Sequence, residues 1–317
     1  MKFLGRTVLV VNPTSAGGAT GRRIPEIEAA AAQWLADWRL ARTTAPGEAS
    51  ALAAEAAEEG ADLVIAVGGD GTANEVVNGL FRGRRLRRAE TAFALLPAGT
   101  GGDLVRTLQM PRDIAQSLQR IAQSDPRPID VVAVAMRSHA GEPVERIGVN
   151  VTGFGANGDV VRRANLSSKR LGGRITFLKA TVATLLRWSP KPTRVTWIDS
   201  QGRAGSWEGH LLFGLAANGA WCGGGMWVGR GGAIDDGLID LTLIPRMRAT
   251  QLIASSPRLF SGTLANVKDV SRIAVRSLQA ATTDGSEMLV DLDGEQPGVL
   301  PLNVEILPKA LPIRAQF

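Results

Sequence analysis

The stretch Ala66-Val-Gly-Gly-Asp-Gly-Thr-Ala-Asn-Glu75 constrains this chain more than any other. The run from Asp62 to Val67 reads as a buried strand. It breaks into Gly68, Gly69, Asp70, Gly71 and Thr72, and resumes as a helix from Ala73 to Leu80. Glycines let the backbone approach a ligand closely and expose several N–H groups in one concavity. The helix N-terminus that follows adds partial positive charge. That combination binds phosphate. It carries no Walker-type lysine, which excludes the usual P-loop. A carboxylate inside a phosphate loop implies a metal ion between the two.

A chain of 317 residues suggests two domains or one large one. The first third alternates strand and helix. Thr7 to Val11 is a β-branched strand, Ile24 to Trp38 has helical spacing, and a short strand near Trp38 to Ala41 follows. Glu48 to Glu59 is an Ala-rich helix ending at Gly60, and Thr91 to Leu96 is another apolar strand. Asp103 to Leu108 and Arg112 to Gln123 read as helices. This alternation predicts a Rossmann-like parallel sheet with helices on both faces.

From Asp130 β signals dominate: Val131 to Met136, Ile147 to Val151, Arg194 to Ile198, Gly209 to Ala216, Leu238 to Ile244, Arg272 to Val275, Met288 to Asp293 and Val304 to Leu307. Glycine-rich turns separate them, as in an antiparallel β-sandwich or partly closed barrel. Two interruptions are Met247 to Leu264 and an amphipathic Ile175 to Trp188, with Ile175, Leu178, Val182, Leu185 and Leu186 on one face. The expected division is α/β for 1–129, rejoined by a C-terminal tail at 309–317, and β-rich for 130–308. The cleft between two such domains is the natural ligand site.

Composition excludes several classes. A single cysteine, Cys222, rules out an internal disulfide and fits a reducing compartment. The start, Met-Lys-Phe-Leu-Gly-Arg, is not a secretory signal, and no run approaches the ~18 apolar residues of a spanning helix. The expectation is a cytoplasmic protein. The +6 net charge is locally concentrated, in Arg82, Arg84, Arg85, Arg87 and Arg88 and in Arg162, Arg163, Lys169, Arg170 and Arg174. Such clusters favour anionic partners, including acidic lipid surfaces, or are solvated loops. Aromatics make up 5% with no Tyr, and none interleave with the arginines, so nucleic-acid stacking has no support.

Two further loops repeat the first signal. Asn12-Pro-Thr-Ser-Ala-Gly-Gly18 follows the first strand, and Leu96-Pro-Ala-Gly-Thr-Gly-Gly-Asp103 follows another and opens a helix. Three such loops at strand ends are hard to attribute to turn chemistry alone. Carboxylates form the second constellation: Asp70, Asp103, Asp130, and Asp293 and Glu295 within Val290-Asp-Leu-Asp-Gly-Glu295. Mg²⁺ prefers oxygen ligands and arrives with a triphosphate, and phosphoryl transfer needs that ion plus a base. Asp-Gly is also a strong hairpin signal. Ala233-Ile-Asp-Asp-Gly-Leu-Ile-Asp240 is a second acidic turn, suited to a structural ion or to simple capping by its Asp side chains. His139 and His210 lack partner spacing, and Cys222 lacks a basic partner, so triad and zinc chemistry are unsupported.

Taken together, Val11-Asn-Pro-Thr-Ser-Ala-Gly, Gly68-Gly-Asp-Gly-Thr-Ala-Asn-Glu-Val-Val-Asn-Gly79, Leu96 to Asp103 and Leu292-Asp-Gly-Glu295 resemble the diacylglycerol kinase catalytic-domain family, which includes soluble bacterial lipid kinases and sphingosine kinases. The Gly-Gly-Asp-Gly-Thr block is shared with NAD kinases. The resemblance implies nucleotide contacts at Asn12, Pro13, Thr14, Ser15, Ala16, Thr43, Gly68, Gly69, Asp70, Gly71, Thr72, Ala73, Asn74 and Thr100. It implies a catalytic Mg²⁺ network of Asp70, Asp103 and Asp130, and a structural Mg²⁺ at the Asp236 carboxylate and the carbonyls of Ala233 and Leu238. It makes Glu295 the general base, with Asp293 and Asp70 close behind. One departure is Gly102, where the family has Asn.

The expected activity is ATP-dependent phosphorylation of a lipid hydroxyl, with diacylglycerol as acceptor and phosphatidate as product. Transient contact with an anionic membrane surface would bring enzyme and lipid together. Exposed β edges leave a homodimer open. Two rivals stand beside this reading: a kinase of a soluble metabolite, and a nucleotide- or lipid-binding module without catalysis.

Overall fold

Apolar, β-branched strands buried on both faces need helices on both sides, and the first unit is built that way. The computed structural model describes residues 2–98, 102–166, 180–181, 183–184, 187–229 and 233–315. Its contacts divide the chain into one unit of Met1–Ile129 with Lys309–Phe317 and a second of Asp130–Pro308.

In the first unit β1 (Phe3–Val11), β2 (Leu35–Arg42), β3 (Leu63–Gly68) and β6 (Ala92–Pro97) lie in the order β2-β1-β3-β6, all parallel. The small hairpin of β4 (Phe81–Arg82) and β5 (Arg85–Leu86) stands apart. Every residue of β3 and β6 is buried. A fifth parallel strand comes from the far end of the chain, where Ile313 pairs with Phe93. Helices α2 (Ile24–Trp34) and α6 (Ile114–Gln123) pack on each other, as do α3 (Glu48–Glu58) and α4 (Asp70–Leu80). Of the two remaining helices, α1 (Ser15–Arg22) opens from the turn after β1, and α5 (Asp103–Thr107) follows β6. After β1 the chain winds outward to β2, and after β3 it winds the other way to β6. The order therefore reverses between β1 and β3, and open α/β sheets bind ligands beyond the carboxyl ends of the strands at such a point.

The helical spacing of Ile24 to Trp38 overshoots. Helix α2 ends at Trp34, and Leu35 takes extended backbone (φ −114°, ψ 140°) directly opposite Phe3. Pairing with β1 outweighs local helix preference over 35–38.

The second unit is a β domain, antiparallel in its ladders, of β7 (Arg127–Arg137, from Asp130), β8 (Pro143–Gly148), β9 (Val151–Gly155), β10 (Lys191–Asp199), β11 (Ala204–Ala217), β14 (Ile239–Pro245), β15 (Ser271–Thr282), β16 (Leu289–Leu292) and β17 (Glu295–Ile313, to Pro308). A short hairpin of β12 (Trp221–Cys222) and β13 (Met226–Trp227) sets two indole rings 5.1 Å apart. The ladders β10–β15, β15–β14, β14–β11 and β11–β10 form a closed circuit, which removes exposed edges there. Its core holds Phe154, Val195, Leu211, Ile239, Leu241, Leu243, Val275 and Val304. Helix α7 (Ala156–Leu166) packs on β9 and β16, and α8 (Ala249–Ser261) on β13.

The run Ile147 to Val151 is not one strand. It stops at Gly148 and restarts at Val151, because the side chain of Asp293 takes the place of a partner strand between them: Asp293 Oδ2 accepts from Val149 N (2.8 Å), and Oδ1 accepts from Asn150 N and Val151 N (2.9 Å each). Ile175, Leu178, Val182, Leu185 and Leu186, the apolar face of the amphipathic segment 175–188, all lie outside the described residues.

Close backbone approach fixes α3 against α4. A Cβ at Gly79 would collide with the carbonyl of Ser50 and the side chain of Ala53. Gly79→Ala should therefore destabilise the first unit by roughly 2–3 kcal/mol, the upper range for overpacking a tight contact, measured by urea unfolding. A loss below about 0.5 kcal/mol would mean the helices can part freely.

Candidate active site

Asn12, the residue after β1, accepts from Thr14 N (3.1 Å) and Thr14 Oγ1 (2.8 Å) through Oδ1, while its own N–H reaches Val67 O at the end of β3 (3.2 Å). The turn is thus stitched to both strands at the switch point. Ala16, Gly17 and Gly18 all have positive φ (53°, 66° and 83°), so α1 is broken at its start. Glycine tolerates that conformation at no steric cost. Thr20 Oγ1 contacts both Ser15 Oγ (2.5 Å) and Ala98 O (3.3 Å), linking the first loop to the one after β6. Thr43 is buried, and its N–H donates to Val11 O (2.9 Å). In the central loop Gly69, Asp70 and Gly71 are half-buried, whereas Gly68, Thr72, Ala73 and Asn74 are buried. Any ligand over this turn meets residues 69–71 first. Thr100 lies outside the described residues.

Asp70 opens α4 but serves another helix. Its Oδ2 accepts from Asp103 N (2.8 Å) and its Oδ1 from Leu104 N (3.3 Å), capping α5 from 33 residues away. Asp103 is buried and pairs with Arg106 (2.9 Å). The two acids are thus brought together, each already engaged. Gly102 permits this. A Cβ there would meet Val105 Cγ2 at 2.6 Å and stand 3.3 Å from Asp70 Oδ1. With Val105 in place, an Asn at 102 would have to displace it.

Asp130, buried in the second unit, accepts from Gly237 N through Oδ2 (2.6 Å) and donates its own N–H to Ile234 O (2.8 Å). It therefore belongs with the acidic turn at 233–240. In that turn Asp236 Oδ1 accepts from Leu238 N (3.0 Å), the capping arrangement of an Asx turn.

Two asparagines that the sequence reading passed over line the same region. Asn218 Nδ2 donates to Asp130 O (2.9 Å) and Val149 O (2.7 Å), and Asn150 Nδ2 donates to Trp221 O (2.8 Å). These bonds fix the orientation of both amides, which leaves Asn150 Oδ1 and Asn218 Oδ1 buried without a hydrogen-bond donor. Such acceptors call for water, a substrate hydroxyl or a hard cation.

Asp293 and Gly294 have positive φ (53° and 89°) between paired Leu292 and Glu295, the two-residue turn favoured in hairpins. Asp293, with its three main-chain donors, is an anchor. Glu295 is exposed. A third carboxylate, Asp291, escaped the sequence reading although it interrupts the apolar run Leu289 to Leu292. It is buried, accepts from Gly294 N through Oδ1 (2.8 Å), and accepts from Asn157 Nδ2 through Oδ2. Burial, reinforced by the nearby charges of Asp293 and Glu295, pushes its pKa up to about 8.

The first arginine cluster is partly neutralised by acids from outside it. Arg82 and Arg87 both reach Glu58 (2.9 and 2.6 Å), and Arg88 reaches Asp62 (3.2 Å). In the second, Arg162 pairs with Asp159 (2.7 Å), while Lys169, Arg170 and Arg174 lie outside the described residues. Among the described residues no three His, Cys, Asp or Glu side chains gather as a ready metal site, and no helix is long and apolar enough to cross a membrane.

Glycine turns and capped helices at a parallel-sheet switch point, joined in one chain to an antiparallel β domain bearing an acidic hairpin, define a phosphotransferase of the kinase class. Residues 6–134 match the diacylglycerol kinase catalytic domain, and residues 150–315 match the YegS C-terminal NAD kinase beta sandwich-like domain. The chain belongs to this lipid-kinase-like family, whose activity uses ATP. Its relatives include the probable lipid kinase YegS-like of Xanthomonas campestris pv. campestris (30% identical, covering 78% of this chain and 77% of that one). The diacylglycerol kinase of Bacillus subtilis is 27% identical, covering 93% and 91%. A solved diacylglycerol kinase from Bacillus anthracis str. Sterne shares the fold at a TM-score of 0.69 (22% identity, 98% and 97% covered). A second solved chain from that strain reaches 0.78 (24% identity, 100% and 97% covered).

Two outcomes follow for the acids. Asp70→Ala removes the cap of α5 and should cost about 1–2 kcal/mol, while Asp70→Asn keeps an acceptor and should cost less than half of that; equal losses in urea titrations would exclude capping. For Asp291, the folded state holds its proton up to about pH 8, whereas the unfolded chain releases it near 3.8. The stability this provides is fully present below pH 4 and is lost as pH rises through 8. Thermal melts should show Asp291→Asn gaining on the parent by a few kcal/mol between pH 5 and pH 9; a constant difference would reject the raised pKa.

Proposed function

We propose that this chain transfers the γ-phosphoryl group of ATP to a lipid hydroxyl, with diacylglycerol as acceptor and phosphatidate as product. The observation that carries this reading is the acidic hairpin. Glu295 stands exposed at the end of a two-residue turn whose other acids, Asp291 and Asp293, are buried and hydrogen-bonded to backbone. Such a group can meet a hydroxyl from outside while its neighbours keep the backbone rigid. Glu295 is assigned the role of accepting or orienting the acceptor proton. In a loose phosphoryl-transfer transition state the proton leaves late, so placement of that carboxylate matters more than its basicity.

The nucleotide side of the reaction is assigned to the first unit. Asn12 to Ala16, Thr43 and Gly68 to Asn74 are the binding residues, with the half-buried Gly69, Asp70 and Gly71 closest to the phosphates. The donors available suit Mg²⁺. In the first unit these are the carboxylate oxygens of Asp70 and Asp103; the second unit separately offers the Asp130 carboxylate and the buried amide oxygens of Asn150 and Asn218, which meet no donor among the described residues. When bound, the ion would neutralise charge on the transferring phosphates. Asp236, with the carbonyls of Ala233 and Leu238, is the candidate for a structural ion.

A lipid acceptor implies a membrane surface. The exposed basic residues outside the Glu58 and Asp62 pairs would supply about 1 kcal/mol each on anionic lipid. The relative from Bacillus subtilis carries the name diacylglycerol kinase and covers nearly the same length, which favours this acceptor. The alternative is a soluble metabolite.

Radiolabelled ATP incubated with a panel of pure lipids in mixed vesicles, and separately with NAD, tests the acceptor. Labelled phosphatidate should form from diacylglycerol, and faster on anionic vesicles at low salt. Label in NAD with none in lipid would decide for the metabolite. Glu295→Gln should lower turnover about 10²-fold or more, the range for losing a positioned acid–base group; near-normal turnover would remove Glu295 from the reaction.

A further inference from the structure

Asp291 and Asn157 join two segments, the acidic hairpin and helix α7. Asp291 sits on β16, opposite Gly153 of β9. Its Oδ1 accepts the N–H of Gly294, the second residue of the turn before Glu295, at 2.8 Å. Its Oδ2 accepts from Nδ2 of Asn157, in the first turn of α7. Both residues are buried. A single carboxylate therefore holds the hairpin turn with one oxygen and a neighbouring helix with the other. A second tether runs parallel to it, since Gln296 Nε2 donates to the carbonyl of Gly158.

The backbone around this link has no room to adjust. A Cβ at Gly153 would collide with the amide group of Asn157, and one at Gly158 would collide with Leu289, the first residue of β16. Helix, strand and hairpin are pressed together at backbone distance on each side of the bond. Removing it would leave buried polar atoms unpaired and take away one of the bonds that orient the turn.

Resting on the assignment of Glu295 as the acid–base group, we infer that Asp291 and Asn157 are positioning residues of the transfer reaction. Their side-chain bond fixes the direction in which the turn presents Glu295, using the first turn of α7 as the reference. The raised pKa of Asp291 fits this use. An asparagine amide can turn over to offer either NH₂ or C=O, so the pair can stay bonded whether or not Asp291 carries its proton. Asp293 and Glu295 face it from its own hairpin, and Asn157 from α7.

The test is a mutant cycle on the full chain, with kcat and KM for ATP measured separately. Asp291→Ala, Asn157→Ala and Asn157→Asp should each lower kcat about 10- to 100-fold, the scale of a misplaced catalytic group. KM for ATP should stay within about twofold, because nucleotide binding is not touched. The Asp291→Ala/Asn157→Ala double variant should lose no more than either single variant, as expected for two ends of one interaction. The exchange Asp291→Asn/Asn157→Asp restores a bond with donor and acceptor reversed, and should regain most of the kcat lost in Asn157→Asp.

Wild-type kcat in the folded single variants, independent multiplying losses in the double, or an exchange variant no better than Asn157→Asp would each overturn the inference. If the alanine variants do not fold, the Asn157→Asp and exchange pair decides alone. Glu295→Gln separates the two levels. If it stays active, the functional reading fails. If it is inactive while the pair variants keep wild-type kcat, only the positioning inference fails.

Discussion

Three consecutive amides, those of Val149, Asn150 and Val151, donate to one buried carboxylate, and the second unit is organised around that fact. A chain leaving one strand for another would ordinarily leave such N–H groups to water, and buried amides without partners are costly. Asp293 meets all three and so fixes the hairpin that carries it. The linkage continues from there. The carbonyl of Asn150 accepts from Asn218 N (2.8 Å) and Gly219 N (2.9 Å), Asn218 reaches the carbonyl of Asp130, and Asp130 holds Gly237. Five segments far apart in sequence are thus linked by amide and carboxylate bonds in addition to their strand ladders.

The first unit uses an acid in the same way. Asp70 reads in sequence as a group aimed at phosphate or metal, yet its oxygens hold the N-terminus of α5. The two roles are compatible, since a carboxylate has more acceptor capacity than two donors exhaust. They do assign Asp70 a structural job in addition to any chemical one. Gly102 fits the same scheme. It allows the capped helix to come close, and Val105 fills the space a side chain would take.

The α/β and β halves were legible because their signals are local: apolar runs too continuous for a half-exposed sheet, then alternating strands with glycine turns. The loops after β1 and β3 were legible for the same reason. What sequence could not convey was how each acid is used. Asp291, Asp293 and Glu295 are spaced two apart on one hairpin, yet one is buried with a raised pKa, one anchors a loop and one is exposed. Asp291 reaches Asn157, 134 residues away, and Asp293 reaches Val149 to Val151, 142 to 144 residues away, and no periodicity reports such contacts. The same holds for the break at 149–150, which looked like continuous strand because the residue that interrupts it is remote. At Trp34 the error was of another kind, with a strand partner overriding helical spacing.

The fifth strand of the first unit is made by residues beyond Lys309, with Leu311, Ile313 and Ala315 buried against it. On the ribosome, the sheet that presents the glycine turns is therefore incomplete throughout synthesis of the entire β domain. Its last apolar edge, along Phe93, is closed only after residue 315 has cleared the exit tunnel. Of these two units, the one whose synthesis starts earlier is completed later, and a nascent or prematurely terminated chain would expose that edge to other chains in the cell.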